Sequence, residues 1–183
     1  MAILDKIIET TGQLARNADP QAPLTSPLSW LRKTAGYSVI NRVVGLAIPF
    51  TTRNGFCVEE LRPGYVKARV SLKGNKNHFG SLYAGAYFLV AEVPGGVLSL
   101  FDLGPAYTPI LKDMKLTFLQ PANTDVTVTF TLSQQELAQI RADADANGKA
   151  YFTLQGELFD ENQQRVAISE ASYTVRKKGF KPR

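Results

Sequence analysis

The chain has 183 residues, 44% of them apolar and 20% charged, a composition that suits one domain of ordinary size and excludes a disordered or low-complexity protein. Its net charge of +5 belongs to the tail: residues 1–175 hold 16 basic and 16 acidic side chains, and Arg176, Lys177, Lys178, Lys181 and Arg183 follow. That excludes the basic stripe of a folded nucleic-acid binder, while a single cysteine, Cys57, and a single histidine, His78, exclude an intrachain disulfide and a Cys/His zinc site within one chain.

Residues 3–15 place Ile3, Leu4, Ile7, Ile8, Leu14 and Ala15 on one face of a predicted helix. Charges at Asp5, Lys6 and Glu9 stand where a secretory leader needs an apolar core. The Asp19–Pro27 loop follows, and Ser26-Pro27 opens a second helix running to near Leu46. Leu28–Phe50 is the longest candidate for a membrane span, but Arg32, Lys33 and Arg42 interrupt it. The expectation is a cytoplasmic, reduced protein without a membrane span, divided into a helical arm over 1–50 and a main domain over 51–183.

From Gly55 the period changes. Phe56–Leu61 and Tyr65–Leu72 read as a hairpin turned at Arg62-Pro63-Gly64, followed by the Gly74–Asn77 loop and a helix over about 82–101. Strands are predicted over 107–119, 125–132, 150–159 and 166–176. The clearest alternates Val126, Val128, Phe130 and Leu132 with Thr127, Thr129 and Thr131. A short polar helix over 134–146 ends at Asn147-Gly148. The order predicts an α+β domain in which an antiparallel sheet wraps one long helix, and it excludes a doubly wound parallel sheet.

That helix is apolar nearly all round, as a buried helix is. Glu92 is the only formal charge between Lys76 and Asp102. A lone buried carboxylate is costly and its pKa rises, which marks Glu92 as a functional candidate. The alternative is a structural carboxylate held by tyrosine hydroxyls or backbone donors. Pro94 predicts a kink or local opening nearby. Gly80, Ser81, Ala84 and Gly85 leave the first helical turn open to a ligand, where backbone amides lack intrahelical partners and could polarise a thioester carbonyl. Gly85 and Glu92 are seven residues apart, roughly 10 Å along a helix, so one chain cannot bring both to one carbonyl. Two antiparallel helices across a two-fold axis could. A catalytic reading therefore expects a homodimer with composite sites.

The stretch Asn77-His-Phe-Gly80-Ser-Leu-Tyr83-Ala84-Gly85, with Glu92 seven residues on, resembles the signature of hotdog-fold acyl-CoA thioesterases of the phenylacetate-pathway type. Ile110–Ala122 is similar to that family's strand ending in a Pro-Ala turn, and the resemblance covers Gly55 to Val175. It is nearest to the thioesterase-like branch with an N-terminal helical arm. The resemblance implies a hotdog fold, an acyl-CoA or other acyl-thioester substrate, no cofactor beyond the substrate's coenzyme A, and a homodimer or dimer of dimers. It also implies roles: Glu92 as general base or nucleophile, Gly85 as the polarising N–H, and Asn77 orienting water or substrate. Tyr83-Ala84-Gly85 departs from the family's His-Gly-Gly, and a tyrosine can donate a hydrogen bond but cannot accept a proton at neutral pH.

Two alternatives stay open. His78 with Glu92 fourteen residues later also resembles the pair of hydroxyacyl-thioester dehydratases, and the tyrosine at 83 fits a non-catalytic acyl-thioester binding protein. Lys177 and Lys178 are candidates for coenzyme A phosphates. Phosphate loops, dinucleotide fingerprints and nucleophile elbows have no match in the chain.

Overall fold

The computed structural model describes residues 27–180, so the predicted 3–15 helix, Lys181 and Arg183 lie outside the described residues. Two helices, α1 (Pro27–Ala47) and α2 (Pro49–Arg53), precede β1 (Phe56–Arg62) and β2 (Tyr65–Val70). Then come α3 (Ala84–Leu103), β3 (Tyr107–Phe118), β4 (Val126–Thr131), α4 (Gln134–Asn147), β5 (Lys149–Asp160) and β6 (Arg165–Lys177). The elements predicted within residues 27–180 recur within two or three residues, and α2 is the element that no periodicity announced. Local chemistry accounts for the boundaries. Ser133 and Glu136 form a reciprocal capping box at the start of α4, and Gly148 ends that helix in the left-handed region at φ 74°.

The strands form one antiparallel sheet in the order β1-β2-β4-β5-β6-β3. Period-two alternation puts Val66, Ala68, Val126, Val128, Leu154 and Ala171 on its concave face, all buried. Against that face lies α3, with Val90, Ala91 and Leu98 fully enclosed. This is the hotdog arrangement expected from the sequence. Although α3 is long and apolar enough to cross a membrane, the sheet wraps most of it, and its hydrophobicity is that of a core helix.

The two sheet edges differ. Along β1 the arm helix supplies substitute partners: the Asn41 amide donates to the Val58 carbonyl at 3.0 Å, its oxygen accepts the Val58 N–H at 2.7 Å, and the Leu61 N–H reaches the Tyr37 hydroxyl. An open edge invites another strand. The twelve-residue β3 has no neighbour beyond it among the described residues, and Phe118 and Leu119, at its end, are about half exposed.

One buried group is left wanting. The Thr174 hydroxyl, on the convex face of β6, is enclosed and has no hydrogen-bond partner among the described residues. An unmade buried hydrogen bond costs about 1–3 kcal/mol, whereas an apolar group of the same shape does not. Thr174→Val therefore raises the unfolding free energy by about 1 kcal/mol in urea titration. An equal or lower value means that the hydroxyl is satisfied in solution.

Candidate active site

The start of α3 is held by backbone and side-chain ties that sequence reading passed over. Buried Asn75 donates to the carbonyls of Asn54 (2.8 Å) and Ser71 (2.7 Å), and its own carbonyl accepts the Tyr83 N–H at 2.8 Å. The Leu82 N–H bonds the Ala122 carbonyl at 2.9 Å, and the Ala122 N–H in turn bonds the Tyr87 hydroxyl at 3.2 Å. So the Pro121-Ala122 turn clamps the helix entry. The chain stacks small and polar residues here because backbone must approach backbone, a long-range demand that no local pattern expresses.

Asn77 organises the loop before the helix. Its side-chain oxygen accepts the N–H groups of Phe79 (2.9 Å) and Ser81 (3.2 Å), and its own N–H donates to the Ser81 carbonyl at 2.8 Å. Gly80 closes that loop at φ 86°, donating to the Asn77 carbonyl. The Ser81 hydroxyl is engaged with Asn123 at 2.9 Å. His78 is exposed, its ring against Phe79, and no hydrogen bond or ion pair joins it to Glu92.

At the helix terminus the geometry favours an electron-rich ligand. The amides of Ala84 and Gly85 meet no acceptor among the described residues, whereas that of Ala86 bonds back to Tyr83. Tyr83 is the N-cap residue, gives no side-chain cap and is exposed. Its ring lies so close over Gly85 that an added Cβ there would sit 2.7 Å from it. Tyr83 thus flanks the free amides.

Glu92 lies two turns on. Its carboxylate is half-buried and accepts no hydrogen bond from the described residues, and burial alone raises its pKa above the ordinary carboxylate value. α3 passes through Pro94 without a break, and no local opening of the helix accompanies it. A proline there removes the N–H that would serve the Val90 carbonyl, and a strand residue reinforces the same turn. The Tyr173 hydroxyl of β6 donates to the Glu92 carbonyl at 2.6 Å, and a side chain at Gly95 would collide with it at 2.4 Å. Burial, with the Glu92 carboxylate nearby, pushes the Tyr173 hydroxyl well above the ordinary tyrosine range.

Exposure along α3 sorts its residues. Ala86, Tyr87, Leu89, Val90, Val93 and Leu98 face the sheet, while Gly85, Phe88, Glu92 and Gly96 form one stripe the sheet leaves open. Their spacing of three and four residues makes them neighbours on one helical face. Candidate donor and candidate base therefore share a surface, separated by the roughly 10 Å that seven residues span.

The basic candidates lie elsewhere. Lys177 pairs with Asp145 at 2.8 Å, and the Lys178 N–H bonds the Ala106 carbonyl. Both flank the start of β3, beyond the C-terminal end of α3, roughly 30 Å along the helix from Gly85. A depression of about 410 Å³ lined by Asp102, Leu137, Arg141 and Asp145 is at that same far end.

The Glu92 burial has a stability signature. Because the folded pKa lies above the unfolded one, the folded chain holds the extra proton between them, and stability falls as pH rises through that window. Glu92→Gln removes the ionisation. The variant should unfold at a higher temperature than wild type at neutral pH, the gap closing as pH drops below the ordinary carboxylate range. A gap independent of pH would mean the carboxylate is solvated.

Comparison with known proteins gives a consistent picture. The family described as "domain of unknown function (DUF4442)" matches residues 36–175. Protein PA5026 of Pseudomonas aeruginosa, described as of unknown function and a probable thioesterase, is 40% identical, with 76% of this chain and 95% of that chain covered and a TM-score of 0.73. A protein of unknown function from Chlorobaculum tepidum is 13% identical, covering 78% and 97%, at a TM-score of 0.68. Thioesterase HI1161 of Haemophilus influenzae is 15% identical, covering 80% and 94%, at 0.63. At such identities the last two bear on the fold alone. No curated protein matches the chain.

Proposed function

The chain belongs to the DUF4442 family, and from that premise we propose that it is a thioester hydrolase acting on acyl-CoA, working as a homodimer with composite sites. The observation that carries this is the open stripe of α3, where an unpartnered, desolvated Glu92 and two unpartnered amides lie on the one face that the protomer's own sheet leaves uncovered. A second α3 laid antiparallel on that stripe sets Glu92 of one chain opposite Gly85 of the other. The uncovered β3 edge, with Phe118 and Leu119 beside it, offers strand pairing to the same second copy.

In this mechanism the thioester carbonyl sits against the partner chain's Ala84 and Gly85 amides, which receive the developing oxyanion. Glu92 takes a proton from water as it attacks, or attacks the carbonyl itself to form a mixed anhydride that water then hydrolyses, releasing the acid and restoring the carboxylate. The coenzyme A thiolate leaves, so no separate cofactor enters. Asn77 acts through the loop it closes, its amide nitrogen remaining available to substrate or water. Tyr83 can donate a hydrogen bond at the rim of the site. His78, exposed against Phe79, has no role in this mechanism.

Free-thiol release from a panel of acyl-CoA chain lengths tests the activity, and sedimentation equilibrium tests the assembly. Release by a dimer supports the proposal. No release on any chain sinks the hydrolase. Loss of water from a 3-hydroxyacyl thioester would then identify a dehydratase, and tight binding without turnover a carrier.

A further inference from the structure

The arm carries an apolar corner that nothing in the hydrolase requires. On α1, Ile40 and Val44 turn inward and are buried, and Asn41 seals the β1 edge. At the junction with α2 the opposite happens: Leu46 is 74% exposed, Ile48 40% and Phe50 50%, with Ala47 and Pro49 exposed between them. Five successive apolar residues thus face outward. Hydrogen bonds define the turn. The Ile48 N–H bonds the Val44 carbonyl at 2.8 Å, and both the N–H (2.9 Å) and the hydroxyl (2.7 Å) of buried Thr51 bond the Ile48 carbonyl. Backbone ties of this kind hold the side chains out, where collapse onto the domain would otherwise hide them.

Charge narrows what could cover the corner. Residues 20–58 contain Arg32, Lys33, Arg42 and Arg53 and no acidic residue at all. Arg42 and Arg53 flank the corner, both exposed, and neither forms an ion pair among the described residues. An apolar corner flanked by two unpaired cations matches a surface that is anionic outside and hydrocarbon within. Position agrees. The corner adjoins β1, at the opposite edge of the sheet from β3, so a dimer paired through β3 leaves it uncovered at each end.

We propose that the Leu46–Phe50 corner, with Arg42 and Arg53, docks the protein on an anionic lipid surface by shallow insertion. The full chain should sediment with vesicles of phosphatidylcholine and phosphatidylglycerol and stay in solution with phosphatidylcholine alone. High salt weakens binding, because the exposed cations are screened. Ile48→Ser with Phe50→Ser should lower the partition coefficient by at least about tenfold, since each loses the burial of a large side chain. Arg42→Gln with Arg53→Gln should lower it several-fold on anionic vesicles.

Failure of the wild type to bind anionic vesicles overturns the proposal. So does binding that both double variants leave intact. If the serine variant instead shifts the oligomeric state in sedimentation, the corner is a protein interface and the lipid assignment falls. Since no turnover is measured, this outcome is separate from the fate of the hydrolase proposal.

Discussion

Glu92→Gln should lower thiol release from acyl-CoA by about 10²–10⁴-fold, the contribution of a positioned general base. Gln keeps the size of the side chain and the hydrogen bond from Tyr173, which ends on the backbone carbonyl, so the helix turn is preserved. What goes is the proton acceptor. The pH dependence should move with it. Wild-type kcat/KM falls as pH drops through the raised Glu92 pKa, because only the carboxylate accepts a proton, and that limb disappears in the residual activity of the variant. Equal rates for the two proteins would remove Glu92 from the chemistry and leave it a costly structural carboxylate.

The second result concerns the partner. Gly85→Pro deletes one of the two unpartnered amides at a first-turn position, pushing aside the exposed Tyr83 ring that lies over it, and should cost about 10²–10³-fold. Co-expressed with Glu92→Gln, the randomly paired population should recover about a quarter of wild-type activity. Half of randomly paired dimers then join unlike chains, and each of those holds one site with a native Glu92 opposite a native Gly85 amide. Should both groups serve one site within a chain, mixing restores nothing. Circular dichroism of Gly85→Pro alone guards against a misfolded helix entry.

Much of this was legible before any coordinates. The alternation in Val126–Thr131 and the turn chemistry at Pro63-Gly64 and Asn147-Gly148 act over a few residues. Such signals placed the six strands and the three longer described helices within two or three residues, while α2 had none. The oddity of Glu92 was equally plain, because a single carboxylate in an otherwise uncharged apolar helix shows in composition alone. Its raised pKa follows from burial.

Other residues gave no local sign. Asn75 looks like any loop asparagine, yet it is buried and holds the entry to α3. Tyr87 and Tyr173 look like core aromatics, and their hydroxyls fasten the Pro-Ala turn and the Glu92 carbonyl from 35 and 81 residues away. Lys177 looked free for a phosphate, and the fold sets Asp145 against it.

Sequence by itself determined the elements, their order and the one costly charge, because helix and strand periods, caps and the expense of a buried carboxylate are properties of short segments. Only the tertiary structure decided which face of α3 stays uncovered. An all-round apolar helix announces that it will be buried without saying by what. The sheet's curvature covers one side and leaves the stripe of Gly85, Phe88, Glu92 and Gly96 open, a consequence of strand order and register that no segment of the chain carries alone.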